Sequence, residues 1–300
     1  MRPLVSILMN CYNGESYLEK AINSIYDQTY ENFEIVFVDN ASTDQSASIA
    51  KSYDERLKYF RIEKNVPLGP ARNFGLQYVC GEYLAFLDTD DIWLPNKLEV
   101  QLSSMDDDTT LLYSKVFHID EHDKVIRETS IHRAPSFFNL LKKYDINMQS
   151  VIINLNYVNI VFDESLQYCP DYDIFMNIAV NNLKIQSLDK SLVKYRIHGE
   201  SLSLNTLDIQ VDEVKQVLQK IRTNNPELSL KYSKTFDRAI SHLTHMVNAK
   251  RYILSNNYYD AAKEFLFISK YGIKYFLAAL LLFTPWVNKY FYTKILAKYI

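Results

Sequence analysis

Glycine is scarce in this chain, six in 300 residues, and so are cysteine, three, and proline, eight. Neither G-x-G-x-x-G nor G-x-x-x-x-G-K-[ST] occurs, which argues against a Rossmann dehydrogenase and a P-loop NTPase. Cys11, Cys80 and Cys169 are too far apart for a disulfide framework or a zinc site. They fit a reducing compartment, with Cys11 read as a small apolar residue at a strand end rather than a nucleophile. There is no basic excess: the net charge of −3 gives no reason to expect nucleic acid as a partner. No apolar run reaches the roughly 20 residues that cross a bilayer. The run Leu4–Met9 lacks the cleavage site of a signal peptide and reads as a buried strand. What remains is a globular composition, 48% hydrophobic and 23% charged, with 23 tyrosines spread along the chain. The length suits one large domain, or one domain with an appendage.

The first hundred residues alternate strand and helix patterns. Strands are expected at Leu4–Met9, Phe33–Val38, Leu57–Arg61 and Tyr83–Leu87. Helices are expected at Tyr17–Tyr26, Gln45–Tyr53 and Ala71–Val79, the last after a loop holding Pro67, Gly69 and Pro70. This order predicts an α/β fold with a mostly parallel sheet covered on both faces. The ligand crevice of such sheets lies outside the carboxyl ends of the strands. Asn10–Asn13, Asp39-Asn40 and Asp88-Thr89-Asp90 all fall there. Between 105 and 200 the pattern is mixed: strands at Leu111–Ile119, Val125–Glu128, Val151–Asn154 and Leu192–Ile197, helices at Phe137–Lys143 and Asp171–Val180. From about Thr206 it is helical.

Tyr83–Leu87 runs straight into Asp88, Asp90 and Asp91. At an effective dielectric near 20, two carboxylates about 5 Å apart repel by roughly 3 kcal/mol. A hard, oxygen-preferring cation, Mg²⁺ or Mn²⁺, would relieve that repulsion and could bridge the acids to a phosphate. The alternative is a strand end capped by solvated acids. Arg72, at a helix start, could supply positive charge to a diphosphate.

Several short motifs follow one another along the chain. They are Val5-Ser6-Ile7 through Tyr12-Asn13, Val38–Asp44, Gly69-Pro70-Ala71-Arg72-Asn73, Phe86–Asp91, Phe162-Asp163-Glu164 with Asp171 downstream, and Tyr195-Arg196-Ile197-His198. In this order they resemble the inverting nucleotide-sugar glycosyltransferases of family 2, which have the GT-A fold, over about residues 3–200. The resemblance implies a catalytic domain over 1–204, with a nucleotide-sugar-binding half (1–104) and an acceptor-binding half (105–204), followed by a helical extension, 205–300. It implies that Tyr12 stacks on the base and that Asp39 accepts from the imide N–H of uracil or thymine. Asn40 departs from the family's second acid there. Arg72, Asp88 and Thr89 would contact the donor, and Asp88, Asp90 and His198 the metal. Arg196 reads equally as a diphosphate cation or a structural ion-pair partner, and Asp44 as a helix cap. Asp171 matches the general base, with Asp173 as competitor. Pro170 replaces the usual glutamate.

The function implied is metal-dependent transfer of a sugar from a UDP-sugar, or a dTDP-sugar, to a hydroxyl of a glycan or lipid-linked acceptor in bacterial surface-polysaccharide synthesis. The alternative is a non-catalytic nucleotide-sugar-binding or scaffold protein, favoured only by Pro170. After Glu264 no acidic residue occurs, and Lys270, Lys274, Lys289, Lys294 and Lys298 flank the uncharged segment Tyr275–Asn288. A basic, aromatic, apolar helix of that kind lies in a headgroup region. The expectation is a cytoplasmic enzyme peripheral on the inner face of the membrane. The alternative packs this tail on the catalytic domain or on a second subunit, giving a homo-oligomer.

Overall fold

The computed structural model describes residues 2–199, 206–255, 257–271 and 278–279. The chain divides into two compact units, Met1–Asn205 and Thr206–Ile300.

The first unit is built on a nine-stranded sheet with the order β3-β2-β1-β4-β8-β6-β9-β5, and β7 pairs with β6. Strands β1 (Val5–Cys11), β2 (Phe33–Asn40), β3 (Leu57–Ile62) and β4 (Tyr83–Phe86) are parallel to one another. Every residue of β2 is buried, as is nearly all of β1, because helices cover both faces; such strands read as apolar runs rather than alternations. Beyond β4 the sheet is mixed. Here β5 (Ile92–Trp93), β6 (Thr109–Ile119), β7 (Val125–Glu128) and β8 (Val151–Asn154) make antiparallel pairs, while β9 (Lys184–Arg196) runs parallel to β6.

Helix α1 (Glu15–Tyr26) buries Leu18, Ala21, Ile22 and Ile25 against the core that Val5, Ile7, Met9, Ile35 and Phe37 form. Helix α2 is shorter than expected, Ser46–Ala50. Helix α3 (Leu68–Leu76) starts earlier than expected and takes Gly69 and Pro70 into its first turn. The first N–H groups of a helix have no partner within it, so proline costs nothing there. A Cβ at Gly75 would stand 2.4 Å from Leu8 Cδ1, so glycine is what lets α3 sit directly on β1. Helix α4 (Lys97–Ser104) was not expected; α5 (Phe137–Lys142) and α6 (Pro170–Val180) were. Between α5 and β8 a single 3₁₀ turn spans Met148–Ser150.

The second unit is helical, as the pattern from Thr206 predicts: α7 (Leu207–Asn224), α8 (Pro226–Lys231), α9 (Ser233–Leu254) and α10 (Tyr258–Ile268). Met246, Ala249 and Ile253 of α9 pack on Ala261, Ala262, Phe265 and Ile268 of α10. Among the described residues no helix is long and apolar enough to cross a membrane. Of the expected membrane-associating segment Tyr275–Asn288, all but Ala278 and Ala279 lies outside the described residues.

Candidate active site at the carboxyl ends of β1, β2 and β4

Parallel pairing sets Cys11 beside Asp39 and Leu8 beside Phe86, so the loops after β1, β2 and β4 emerge side by side. The loops after β1 and β2 are laced together. Asn13 N–H donates to Ser42 Oγ (3.0 Å), Gly14 N–H to Ser46 Oγ (3.0 Å) and Thr43 N–H to Asn13 Oδ1 (2.8 Å). Asp44 accepts from Ser46 N–H and from Glu15 N–H, so it caps its own helix and steadies the start of α1 as well. A Cβ on Gly14 would fall 2.8 Å from Thr89 Oγ1, so the absence of a side chain there lets the acidic loop close against α1.

At one end of the cleft Tyr12 stands 55% exposed, a free aromatic face. Asp39, fully buried, accepts from Ser42 N–H at 2.8 Å through Oδ1, and from the Tyr59 hydroxyl and the Arg61 guanidinium through Oδ2. Burial alone would raise its pKa, but these donors outweigh it and hold the carboxyl below the usual range. The Ser42 side chain adds to these donors, so the carboxylate is held from several directions.

At the other end the acids converge. Asp88 Oδ1 faces the Arg72 guanidinium at 3.6 Å; Arg72 is buried against the Phe162 ring. Gln149 accepts Asp88 N–H at 2.9 Å and donates its own amide to Asp88 Oδ2. Burial, then the negative charges of Asp90 and Asp171, raise the Asp88 pKa to about 6 against the pull of Arg72 and Gln149. Asp171, in the first turn of α6, is thus near enough for its charge to act on Asp88. Asp90 Oδ2 lies 3.0 Å from His198 Nε2. Asp91 is buried, with Oδ1 accepting from Arg196 N–H at 2.7 Å and Oδ2 left without a partner; burial and then its two acidic neighbours push its pKa well up. Asp173 is buried within α6. Among the described residues no three His, Cys, Asp or Glu side chains by themselves close on a metal position.

Of the two readings of Arg196, the contacts found are those of the structural one. Arg196 is fully buried, donates to Asp90 O at 2.8 Å and Asp120 O at 3.0 Å, pairs with Asp123 at 2.6 Å and stacks over Tyr17. Through these contacts it holds the acidic loop, with Nη2 left without a partner among the described residues. The Asn73 and Phe162-Asp163-Glu164 motifs are also architectural. Asn73 exchanges hydrogen bonds with the Phe162 backbone at 2.8 and 2.9 Å and reaches Glu164 at 3.1 Å, tying α3 to the loop that leads into α6.

The sequence did not reveal Gln149, or what supports it. Trp93 Nε1 donates to Gln149 O (3.1 Å), and Gln101 Nε2 donates to Ser150 O (2.7 Å). Fully buried Lys97 donates to Gln101 Oε1 (2.7 Å) and lies over the Trp93 ring (3.9 Å); burial drives its pKa far down.

The profile of glycosyl transferase family 2 matches residues 6–165. An uncharacterized glycosyltransferase of Methanocaldococcus jannaschii is 33% identical over 222 residues, 70% of this chain and 76% of that protein. The Escherichia coli UDP-Glc:α-D-GlcNAc-diphosphoundecaprenol β-1,3-glucosyltransferase WfgD is 31% identical over 206 residues, 67% of this chain and 80% of that one. Among solved structures, the mannosyltransferase PcManGT of Pyrobaculum calidifontis, in complex with GDP-Man and Mn²⁺, superposes with a TM-score of 0.64 at 17% identity, over 99% of this chain and 87% of that chain. Sheet order, acidic loop and matched profile agree, and the chain belongs to glycosyl transferase family 2.

Proposed function

We propose that this glycosyltransferase moves a sugar from a UDP-sugar to a hydroxyl of a glycan or lipid-linked saccharide, with inversion at the anomeric carbon. The observation that carries the reading is the Arg72–Asp88 pair at the end of β4, at 3.6 Å, with the charges of Asp90 and Asp171 acting on the same carboxylate. WfgD, which takes UDP-Glc to a diphosphoundecaprenol-linked sugar, supports the donor and acceptor classes. Exposed Tyr12 would stack on the base, and Asp39 would accept the uracil imide N–H.

Asp88 and Asp90 fit a divalent ion: they are hard oxygen donors, and burial followed by the charges of Asp90 and Asp171 raises Asp88 to about 6, a cost a cation would relieve. His198, beside Asp90, would complete the protein's share, and Mn²⁺ in PcManGT supports the choice of ion. The incomplete cage is in keeping with this class of site, where one or two carboxylates and substrate phosphates share the cation. Bound there, the ion would neutralise charge building on the leaving diphosphate. Arg72 would add a fixed cation to the same oxygens. Asp171 would take the proton of the attacking hydroxyl. Pro170 sits at the first position of α6, where its missing N–H costs the helix nothing.

Screening UDP- and dTDP-sugars with Mn²⁺ for transfer tests the proposal. Asp171→Asn is expected to keep donor affinity within about twofold and to lower turnover about 10³-fold, the scale of lost general-base catalysis. A near-normal turnover would remove Asp171, and an equal loss in Asp173→Asn alone would move the base there.

We further propose that the basic tail draws the enzyme to anionic membranes. Each lysine near such a surface contributes about 1 kcal/mol. Full-length protein with Lys289, Lys294 and Lys298 changed to glutamate should no longer sediment with phosphatidylglycerol vesicles. Unchanged sedimentation would overturn this.

A further inference from the structure

Tyr144 lies in the segment between α5 and the 3₁₀ turn, and its surroundings are firmly fixed. The next residue, Asp145, accepts from the Tyr113 hydroxyl at 3.0 Å and from His132 N–H at 2.6 Å, with His132 Nδ1 at 2.8 Å. The Tyr144 ring packs on that of Tyr172, centroids 4.7 Å apart and tilted by 58°. Tyr172 is the neighbour of Asp171 in the first turn of α6. The Tyr144 ring thus packs on the first turn of α6, and Asp171 is the charge that acts on its hydroxyl most.

That hydroxyl is buried and has no hydrogen-bond partner. Buried tyrosine hydroxyls normally find one. A phenol held by its ring in a rigid segment, with its polar end unmatched beside a carboxylate, is arranged for something that arrives from outside. A donor diphosphate does not suit it, because Arg72 and the acidic loop already serve that end of the cleft. A saccharide hydroxyl does, since it can both give and accept one hydrogen bond with a phenol.

We propose that the Tyr144 hydroxyl is an acceptor contact, hydrogen-bonding a hydroxyl of the incoming saccharide and so fixing which of its oxygens faces Asp171. This rests on the reading of Asp171 as the base. It adds a specificity-determining residue on the acceptor side, where no sequence motif points. It also separates two properties of one atom. The hydroxyl contributes nothing to the unliganded fold, so phenylalanine in its place leaves the fold intact or firmer while acceptor binding weakens.

The test compares the full-length protein with Tyr144→Phe in three measurements. Thermal melting without ligand is expected to be unchanged or higher in the variant. UDP affinity in the presence of Mn²⁺ should agree within twofold. Retention on a panel of immobilised mono- and disaccharides, read with UDP and Mn²⁺ bound, should fall about 5- to 10-fold, the range of one neutral hydrogen bond. A variant that melts several degrees lower, or that holds the panel as well as the parent does, overturns the assignment. So does a parent protein that binds UDP but no saccharide. A parent that fails to bind UDP at all overturns the donor reading instead, so the two failures are distinguishable.

Discussion

Gln149 grips Asp88 twice. Its Oε1 accepts the Asp88 backbone N–H at 2.9 Å, and its Nε2 donates to Asp88 Oδ2. The backbone N–H can only donate, so it fixes which way round the amide lies, and the amide in turn fixes Oδ2 as an acceptor. Oδ1 is left to face Arg72 and the cleft. The carboxylate is aimed by a neutral side chain that adds no charge to an already acidic loop.

Gln149→Met keeps the volume and removes both bonds. An unmatched buried N–H and carboxylate oxygen cost about 1–3 kcal/mol each where they stay buried. Asp88 is partly open to solvent, so we expect the lower figure, seen as a drop of a few degrees in melting temperature. Affinity for UDP with Mn²⁺ should fall about tenfold or more, and Gln149→Glu, isosteric but without the donor, should fare no better. Undiminished UDP binding in both variants would show that Asp88 needs no aiming.

The charge on Asp88 predicts a pH effect. Its pKa in the fold is raised to about 6, above the ordinary carboxyl value of 3.8, first by burial and then by Asp90 and Asp171. Below the ordinary value both folded and unfolded chains hold the proton and ionisation costs nothing. Between the two values only the folded chain holds it, so this group's contribution to stability is lost as pH rises through about 6. The pull of Arg72 on the ionised carboxylate is already contained in that pKa, and the pH-independent effects of a substitution cancel when one variant is followed across pH. The melting difference between Asp88→Asn and the parent, both free of metal, should shift in favour of Asn from about pH 4 to pH 7. A flat difference would mean Asp88 titrates as an ordinary surface acid.

Among the described residues Ala41 is one of four other than glycine with positive φ, at 65°. It follows β2, between Asn40 and Ser42, in the turn where Ser42 N–H binds Asp39. The left-handed conformation costs an alanine about 1–2 kcal/mol, and glycine's looser unfolded chain returns about half of that. Ala41→Gly should therefore raise the melting temperature by about 2 °C. The same change loosens the turn beside Asp39, so UDP affinity should drop a few-fold. A lower melting temperature would show the strain is already relieved by the loop's hydrogen bonds.

What the sequence made legible follows from range. The parallel half of the sheet could be read because each strand is an apolar run and each helix shows its own buried stripe. The acids at its mouth could be read because Asp88, Asp90 and Asp91 are consecutive with a strand end. The first half of β9, Lys184–Ser191, escaped notice because it is mostly polar and half-exposed, held by its pairing with β6 rather than by its own pattern. Helix α4 escaped because Lys97 looks like a surface residue, yet it is fully buried over Trp93. Gln149 and Asp88 are 61 residues apart, and nothing local marks either as the other's partner. Tyr144 was one of 23 tyrosines until the fold put it next to Tyr172.

Arg196 offers the sharpest separation of structure from chemistry. A diphosphate-binding arginine would leave melting unchanged when replaced by lysine and would lower donor affinity alone. The arginine found here binds Asp90 O, Asp120 O and Asp123 at once, from a fully buried position. Lysine keeps the charge but cannot present a planar fork to three acceptors. Breaking such a buried pair costs about 3–5 kcal/mol when the charge goes unmatched, and toward the lower figure when a cation remains. Arg196→Lys should therefore melt roughly 6–10 °C lower. UDP affinity with Mn²⁺ should fall as well, because the loop carrying Asp90 and the strand end leading to His198 are both held by that side chain. Normal melting together with weakened UDP binding would return Arg196 to the ligand.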